Sequence, residues 1–227
     1  MAQSVSQFIL FRVKPSVKPE DPSSEEGNAL LNVFNMTKSQ GGHVISSWGR
    51  THEDENTIVW VVDWTDARST INARLLDPFL DTGNLQPITS LHLTLSPPIS
   101  STDALTKNPV TEICTLPFDS DLDVLTSKKL SADLIKFRTA LIEQLPQSAG
   151  PRSWSMGHVD RPSKLPHETS PSGHAVVHLL AVGWDSVDAH LKAKDTEKFV
   201  ESIAPIREKM LAIIPGLEMK HVSFQKT

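Results

Sequence analysis

The sequence predicts an α+β protein built from two copies of one βαββαβ unit, and three observations support this prediction. Apolar runs that end in tryptophan occur twice, as "TIVWVVDW" (57–64) and "HAVVHLLAVGW" (174–184). Each run leads into a helix start, in "DWTDARST" (63–70) and "GWDSVDAH" (183–190). The elements around these runs also follow the same order in both halves of the chain. Such repetition indicates a duplicated fold.

The first copy is predicted to occupy residues 1–97. "QFILFRV" (7–13) is rich in β-branched and aromatic residues and predicts a strand. The apolar face of "NALLNVFNMTKSQGG" (28–42) predicts a helix that its two glycines end. The remaining elements are the strands "HVISSWGRT" (43–51), "TIVWVVDW" and "SLHLTLS" (90–96), and a second helix from Thr65 or Asp66 to Leu76.

A linker is predicted at 98–108, because "SPPISSTDALTKNP" holds three prolines and no apolar period. The second copy then covers 109–227. Its strands are "VTEICTL", "RSWSMGHV", "HAVVHLLAVGW" and "MKHVSFQ", and its helices are "LSADLIKFRTALIEQL" and the region of Phe199, Ile203, Ile206 and Met210. The insertion 160–173 is expected to be an unpacked surface loop, with a lid as the alternative.

The third strand of each copy is apolar at nearly every position, so both faces of each sheet should be covered. The helices cover one face, and we expect the other copy to cover the second. Side chains alternate across a strand. We therefore expect Val222 and Phe224 to face the helices, and His221 and His92 to face the space between the sheets.

Composition excludes several classes of function. The net charge of -5 lacks the basic excess that nucleic-acid binding requires. Cys114 is the one cysteine, so neither a disulfide within the chain nor a cysteine-rich zinc site is expected. Metal-binding and glycine-rich phosphate-binding motifs are lacking, which predicts no metal and no cofactor. The N-terminal apolar stretch is too short for a signal peptide or membrane span, so we expect a cytoplasmic protein without membrane contact.

The tryptophan-ended third strand, "GWDSVDAH" and "KHVSF" together resemble the dimeric α+β barrel proteins. These include stress-responsive A/B barrel domains, antibiotic-biosynthesis monooxygenase-like domains and plant polyketide cyclases. The resemblance implies two ferredoxin-like repeats that form a barrel within one chain. It also implies a monomer or a weak homodimer, since the tandem copies replace two subunits.

In cyclase members of that family, a histidine six residues before the tryptophan acts as acid and base. This role carries over to His178, whereas the first copy has Ile58 there. Glu112 stands where the family often has a first-strand histidine. We expect strands one and three to be parallel neighbours, so that Glu112 orients His178. The chain has no tyrosine, unlike the cyclases, which use a pocket tyrosine.

Other residues are predicted to complete a pocket inside the barrel. His221 or His92 would polarise a substrate oxygen. Trp60 would stack on an aromatic substrate. The remaining candidates for substrate binding are Leu180, Trp184 and His158, the last at the mouth of the pocket.

The leading functional hypothesis is a cofactor-independent enzyme of secondary metabolism. It would bind a small, apolar, polyketide-like carbonyl compound and catalyse cyclisation, dehydration or isomerisation. The first alternative is a cofactor-free monooxygenase acting on a phenolic substrate. The second is a non-catalytic, stress-related ligand-binding protein whose barrel is filled by side chains.

Overall fold

The structure is a computed structural model that describes residues 4–81, 83, 88–146 and 149–227, apart from the side chain of Thr102. Its described strands form one antiparallel sheet. The strands are β1 Val5–Arg12, β2 His43–Arg50, β3 Thr57–Trp64, β4 Ile88–Leu93, β5 Val110–Asp119, β6 Ser153–Arg161, β7 Leu165–Pro166, β8 His174–Trp184, β9 Lys220–Val222 and β10 Gln225–Lys226.

Helices with side-chain caps flank this sheet. Ser24 caps the first long helix, Asp123 caps the helix that follows β5, and Ser186 caps the helix that follows β8. The helices are α1 Glu25–Thr37, α2 Ile99–Thr102, α3 Ala104–Lys107, α4 Val124–Thr139, α5 Val187–Lys194 and α6 Glu197–Arg207. A π-helical turn, Ala140–Gln144, extends α4. None of the helices in the described part of the chain is long and apolar enough to cross a membrane.

The sheet curls back on itself through two seams between its halves. The strand order is β2-β3-β1-β4 in the first half and β6-β8-β5-β9 in the second. One seam joins β4 to β6. At the other seam, β9 pairs with β5 and β10 pairs with β2, although both belong to the C-terminal segment 220–226. A bridge between Thr51 and Val222 adds to this second seam.

Three apolar clusters fill the layers. The central cluster takes side chains from both halves of the sheet, including Phe8, Val61, Leu179 and Val222. A second cluster packs β5, β6 and β8 against α4, α5 and α6. The third packs β1, β2 and β3 against α1 and a 3-10 helix, Ala73–Phe79. Both faces of each half-sheet are therefore covered, as the apolar third strands predict.

Three local predictions differ from the structure. Residues 65–72 contain no helix, and only the 3-10 helix follows, because this segment lacks an apolar period and Pro78 limits extension. The predicted linker holds α2 and α3, whose Ile99 and Leu105 enter the central cluster. The insertion 160–173 packs on the sheet, because β7 pairs with β8 and Ser170 donates a hydrogen bond to Asp119.

The predicted facing of the strands is reversed. Val222 and Phe224 lie in the central cluster, so their neighbour His221 points to the helix side. By the same alternation, Leu180, Val182 and Trp184 pack under the helices. The alternation of side chains could not show which face the helices cover, because both faces of the strands are apolar. The central cluster occupies the space between the two half-sheets, so we expect a ligand to bind between a half-sheet and its helices.

A glycine lies against the backbone of the neighbouring segment at each seam. A Cβ on Gly157 would lie 2.3 Å from the carbonyl oxygen of Thr94, and one on Gly49 would lie 2.4 Å from that of Ser223. We expect Gly157→Ala to lower the free energy of unfolding by roughly 1–3 kcal/mol, since the backbone of β4 or β6 must move. Gly41→Ala is the control, because nothing lies within 4 Å of its Cβ. Equal urea midpoints for the two variants would contradict this account of the seam.

Candidate functional site

A cavity of about 120 Å³ lies between the second half-sheet and its helices. Apolar side chains from β5, β6, β8, α4 and α6 form most of its wall, including Leu116, Phe137, Trp154, Leu180, Phe199 and Ile203. Its polar lining consists of Glu112, Cys114, His190, Lys194 and Arg207. An apolar enclosure with a few polar groups is the usual form of a small-molecule site.

Glu112 places a carboxyl group in this wall. Its Oε2 accepts a hydrogen bond of 3.1 Å from Trp184 Nε1 and lies 3.3 Å from His190 Nε2. The imidazole of His190 stacks on Trp184, with ring centroids 4.8 Å apart. Strand β5 and helix α5 thereby hold a carboxyl group and an imidazole in fixed contact.

His221 extends this contact. The Nδ1 atom of His190 lies 2.7 Å from Nε2 of His221, and both imidazoles are buried. His221 comes from β9, which pairs with β5 so that His221 lies opposite Glu112. Two neighbouring strands and one helix therefore bring three titratable groups together on the helix side of the sheet.

Burial shifts the pKa values of Glu112 and His190 in opposite directions. It raises the pKa of Glu112 to about 7, although the hydrogen bond from Trp184 and the charge of Lys194 oppose the shift. It lowers the pKa of His190 to about 3, assisted by His221 and Lys194. Burial also raises the pKa of the Cys114 thiol. Near neutral pH, Glu112 exchanges a proton readily while His190 stays uncharged.

The first half contains a contact of the same form without the ionisable group. Trp64 Nε1 donates a hydrogen bond of 3.2 Å to Oε1 of Gln7, as Trp184 does to Glu112. Ile71 N donates to the same oxygen, and Nε2 of Gln7 donates to Thr70 and Ser90. The amide of Gln7 is thus satisfied by neighbouring protein groups.

The predicted contact between Glu112 and His178 is wrong. Strands β5 and β8 are antiparallel, so Glu112 pairs with Val182, and His178 pairs with Leu116. Val182 and His178 are four positions apart along β8, or about 13 Å. His178 instead contacts the rings of Phe118 and His158, and burial lowers its pKa to about 4. A catalytic role for His178 remains a prediction.

The other residues predicted for the site lie partly at the cavity and partly away from it. Leu180 lines the cavity, and Trp184 and His221 support it. Trp60 lies in the helix-side cluster of the first half, 4.4 Å from Phe34 between ring centroids, and His92 lies on the same half-sheet. His158 is exposed beside Asp160.

Sequence reasoning missed His190 and Lys194. Both lie on α5, within and just after "GWDSVDAH", which served only as evidence of a helix start. They are four residues apart and therefore share one face of the helix. That spacing is the signal that could have identified them.

We expect the cavity carboxyl group to destabilise the fold as the pH rises. The pKa of Glu112 is about 7 when folded against an ordinary 4.5, so the folded state binds the proton more tightly. Its contribution to stability is complete below pH 4.5 and is lost as pH rises through 7, amounting to about 3 kcal/mol. Urea unfolding at about pH 5 and about pH 8 measures it. A wild type that loses no more stability than Glu112→Gln over this range would contradict the assignment.

No group of three or more His, Cys, Asp and Glu side chains is arranged to hold a metal ion, as far as the described residues extend. No protein-family model and no curated protein matches the chain. Its overall architecture does have counterparts among solved structures.

An anthrone oxidase-like protein superimposes with a TM-score of 0.61 at 12% identity, over 99% of this chain and 93% of that protein. A chlorite dismutase variant from Candidatus Nitrospira defluvii gives 0.55 at 11%, over 98% and 92%. A protein from Fusobacterium nucleatum subsp. nucleatum, provisionally assigned as a monooxygenase, gives 0.53 at 12%, over 99% and 93%. At these identities the likeness concerns the fold, and the chain shares the mixed α/β, curled-sheet architecture of these proteins.

Proposed function

We propose that the chain is an enzyme that binds a small, largely apolar carbonyl or phenolic compound in the cavity and exchanges a proton with it through Glu112. The observation that carries this proposal is a buried carboxyl group with a pKa of about 7 in the wall of an apolar cavity. A general acid or base is most effective when its pKa is close to the working pH.

The cavity also offers groups that can stabilise the anion formed by deprotonation. Lys194 lines the wall and supplies a positive charge near Glu112. Trp154 lines it as well, and its indole N–H has no hydrogen-bond partner among the described residues. A substrate whose C–H lies beside a carbonyl would lose that proton to Glu112. The developing enolate oxygen would be stabilised by Lys194 or Trp154.

The size of the cavity limits the substrate. Its volume of about 120 Å³ is close to that of an engineered protein cavity of about 150 Å³ that holds benzene. A single-ring compound is therefore the best match, and a larger one would require side chains of the helices to move. Isomerisation, dehydration and aldol-type cyclisation all begin with this deprotonation, and none of them needs a cofactor.

A cofactor-free monooxygenase is the second candidate, favoured by the names of the anthrone oxidase-like and monooxygenase-like proteins that share the fold. In this reaction the deprotonated substrate supplies four electrons to dioxygen. A CH₂ group becomes a carbonyl, its two hydrogens leave with the second oxygen atom as water, and the electron count balances. Oxygen uptake by the purified protein distinguishes this candidate from proton-transfer chemistry alone.

We also propose that the chain consists of two copies of one βαββαβ unit. Two observations support two copies of one unit: the strand orders of the two halves match, and the contact of Trp64 with Gln7 corresponds to that of Trp184 with Glu112. Only the second copy carries the ionisable group at this position. Because each copy covers the other within one chain, we expect a monomer in sedimentation equilibrium. An obligate dimer with exchanged halves would contradict this part of the proposal.

Hydrogen–deuterium exchange on a probe tests the proposed function without knowledge of the natural substrate. Acetophenone has one ring and a methyl group beside its carbonyl. We expect the wild-type protein to accelerate deuteration of that methyl group in D₂O, followed by proton NMR. Phenol should compete with acetophenone and quench tryptophan fluorescence, since Trp154 lines the cavity. Lack of both binding and exchange across a panel of single-ring ketones would contradict the proposal.

A further inference from the structure

The pair of histidines beside Glu112 reaches a carboxylate at the protein surface. Nδ1 of His221 lies 2.6 Å from Oε1 of Glu53, whose side chain is 36% exposed. Glu53 belongs to the turn between β2 and β3 in the first half of the chain. With the contacts of His190 described above, four side chains form a continuous row from the cavity to solvent.

The chemistry at the surface end sets the direction of the hydrogen bonds. Partial burial alone would raise the pKa of Glu53, but hydrogen bonds from the backbone N and Nδ1 of His221 outweigh it and lower that pKa. An ionised Glu53 requires Nδ1 of His221 to donate, and in the Nδ1–H tautomer of His221 the Nε2 atom is an acceptor. Nδ1 of His190 then donates to it, and Nε2 of His190 is left as the acceptor that faces Oε2 of Glu112 at 3.3 Å.

We propose that His190 and His221 form a proton relay between Glu112 in the cavity and solvent at Glu53. The inference rests on the proposed function, because a group that exchanges protons with a substrate inside a cavity needs a path that restores its protonation. The row consists of two hydrogen bonds, from His190 to His221 and from His221 to Glu53, and one contact of 3.3 Å between Glu112 and His190 that a proton would cross. If every proton moves one step, Glu112 becomes ionised and Glu53 becomes protonated. Each O–H or N–H bond that breaks is matched by one that forms.

Burial and the charges around the row keep His190 uncharged. Burial, His221 and Lys194 each disfavour a second proton on His190, and Arg207 is a further cation in the lining of the cavity. Cys114 faces the cavity end as an uncharged thiol. At the surface end, Glu53 can release its proton directly to water. The first half of the chain therefore contributes a group to a site built by the second half.

Replacing the surface carboxylate tests the relay. Glu53→Gln can still accept a hydrogen bond from His221 but cannot take up its proton. At low buffer concentration we expect deuteration of acetophenone to slow by about tenfold, the factor for losing one charge-assisted hydrogen bond along the path. Imidazole, added as a buffer that can exchange protons with the row, should restore the rate. Glu55→Gln, in the same turn and outside the row, is the control and should keep the wild-type rate.

A second measurement tests the direction of the hydrogen bonds in the row without any substrate. Nitrogen-15 NMR of the free protein should show a proton on Nδ1 of both His190 and His221, and Glu53→Gln should leave both protons in place. An Nε2–H tautomer of His221 in the wild type would overturn the relay. A wild-type rate of acetophenone deuteration in Glu53→Gln would also overturn the relay. If Glu112→Gln then still lost this exchange, the proposed function would stand without the relay.

Discussion

Glu112→Gln is expected to lower the rate of acetophenone deuteration by about two to four orders of magnitude, the usual contribution of a general acid–base group. Glutamine has the same shape and can still accept the hydrogen bond from Trp184. The fold and the cavity should therefore persist while the exchangeable proton is lost. Proton NMR of the probe gives the rate, and circular dichroism checks the fold.

Asp63→Asn is the matched control for this loss. Asp63 is a buried carboxyl group in the first half, its pKa is also raised by burial, and it accepts a hydrogen bond of 2.6 Å from Ser6. It lies away from the cavity lining. We expect this variant to keep the wild-type rate. Equal rates for Glu112→Gln and wild type would exclude Glu112 as the acid–base group.

Ile203→Trp should abolish ligand binding by filling the cavity. Ile203 lies on α6, is buried and lines the cavity wall, so an indole at this position occupies the space of a single-ring ligand. We expect the affinity for phenol, measured by calorimetry, to fall by at least about a hundredfold, or roughly 2.7 kcal/mol. Overpacking should also cost roughly 1–3 kcal/mol of stability.

The same helix provides the control for the filled cavity. Val200→Trp adds an indole on the exposed face of α6, where the native side chain is 50% exposed, and should leave phenol binding unchanged. If phenol bound Ile203→Trp as tightly as wild type, the ligand would have to occupy a different part of the molecule.

The sequence was sufficient to predict the longer strands and their order along the chain. The run 174–184 matches β8 at both ends, because apolar β-branched residues, glycine and a terminal tryptophan distinguish it from its neighbours. The prediction of a second helix after Trp64 was wrong, since a capping residue alone cannot form a helix without an apolar face behind it. Local patterns thus predicted elements best where periodicity and boundary residues agreed.

The candidate site was only partly predictable. Glu112 was identified from the family resemblance and His221 from the alternation of side chains along its strand, but their true partner, His190, lies on a helix. Alternation along a strand gives two faces without telling which one the helices cover when both are apolar. The contact between His221 and Glu53 depends on closure of the sheet across a seam, which no local pattern encodes.

The central claim is that the cavity holds a carboxyl group poised to exchange a proton near neutral pH. A carbon-13 NMR titration of glutamate side-chain carboxyl groups, with Glu112→Gln to assign the signal, measures this directly. We predict a midpoint of about 7 for Glu112, with a shift of its signal on addition of phenol. A midpoint near the ordinary 4.5, unaffected by phenol, would contradict the account.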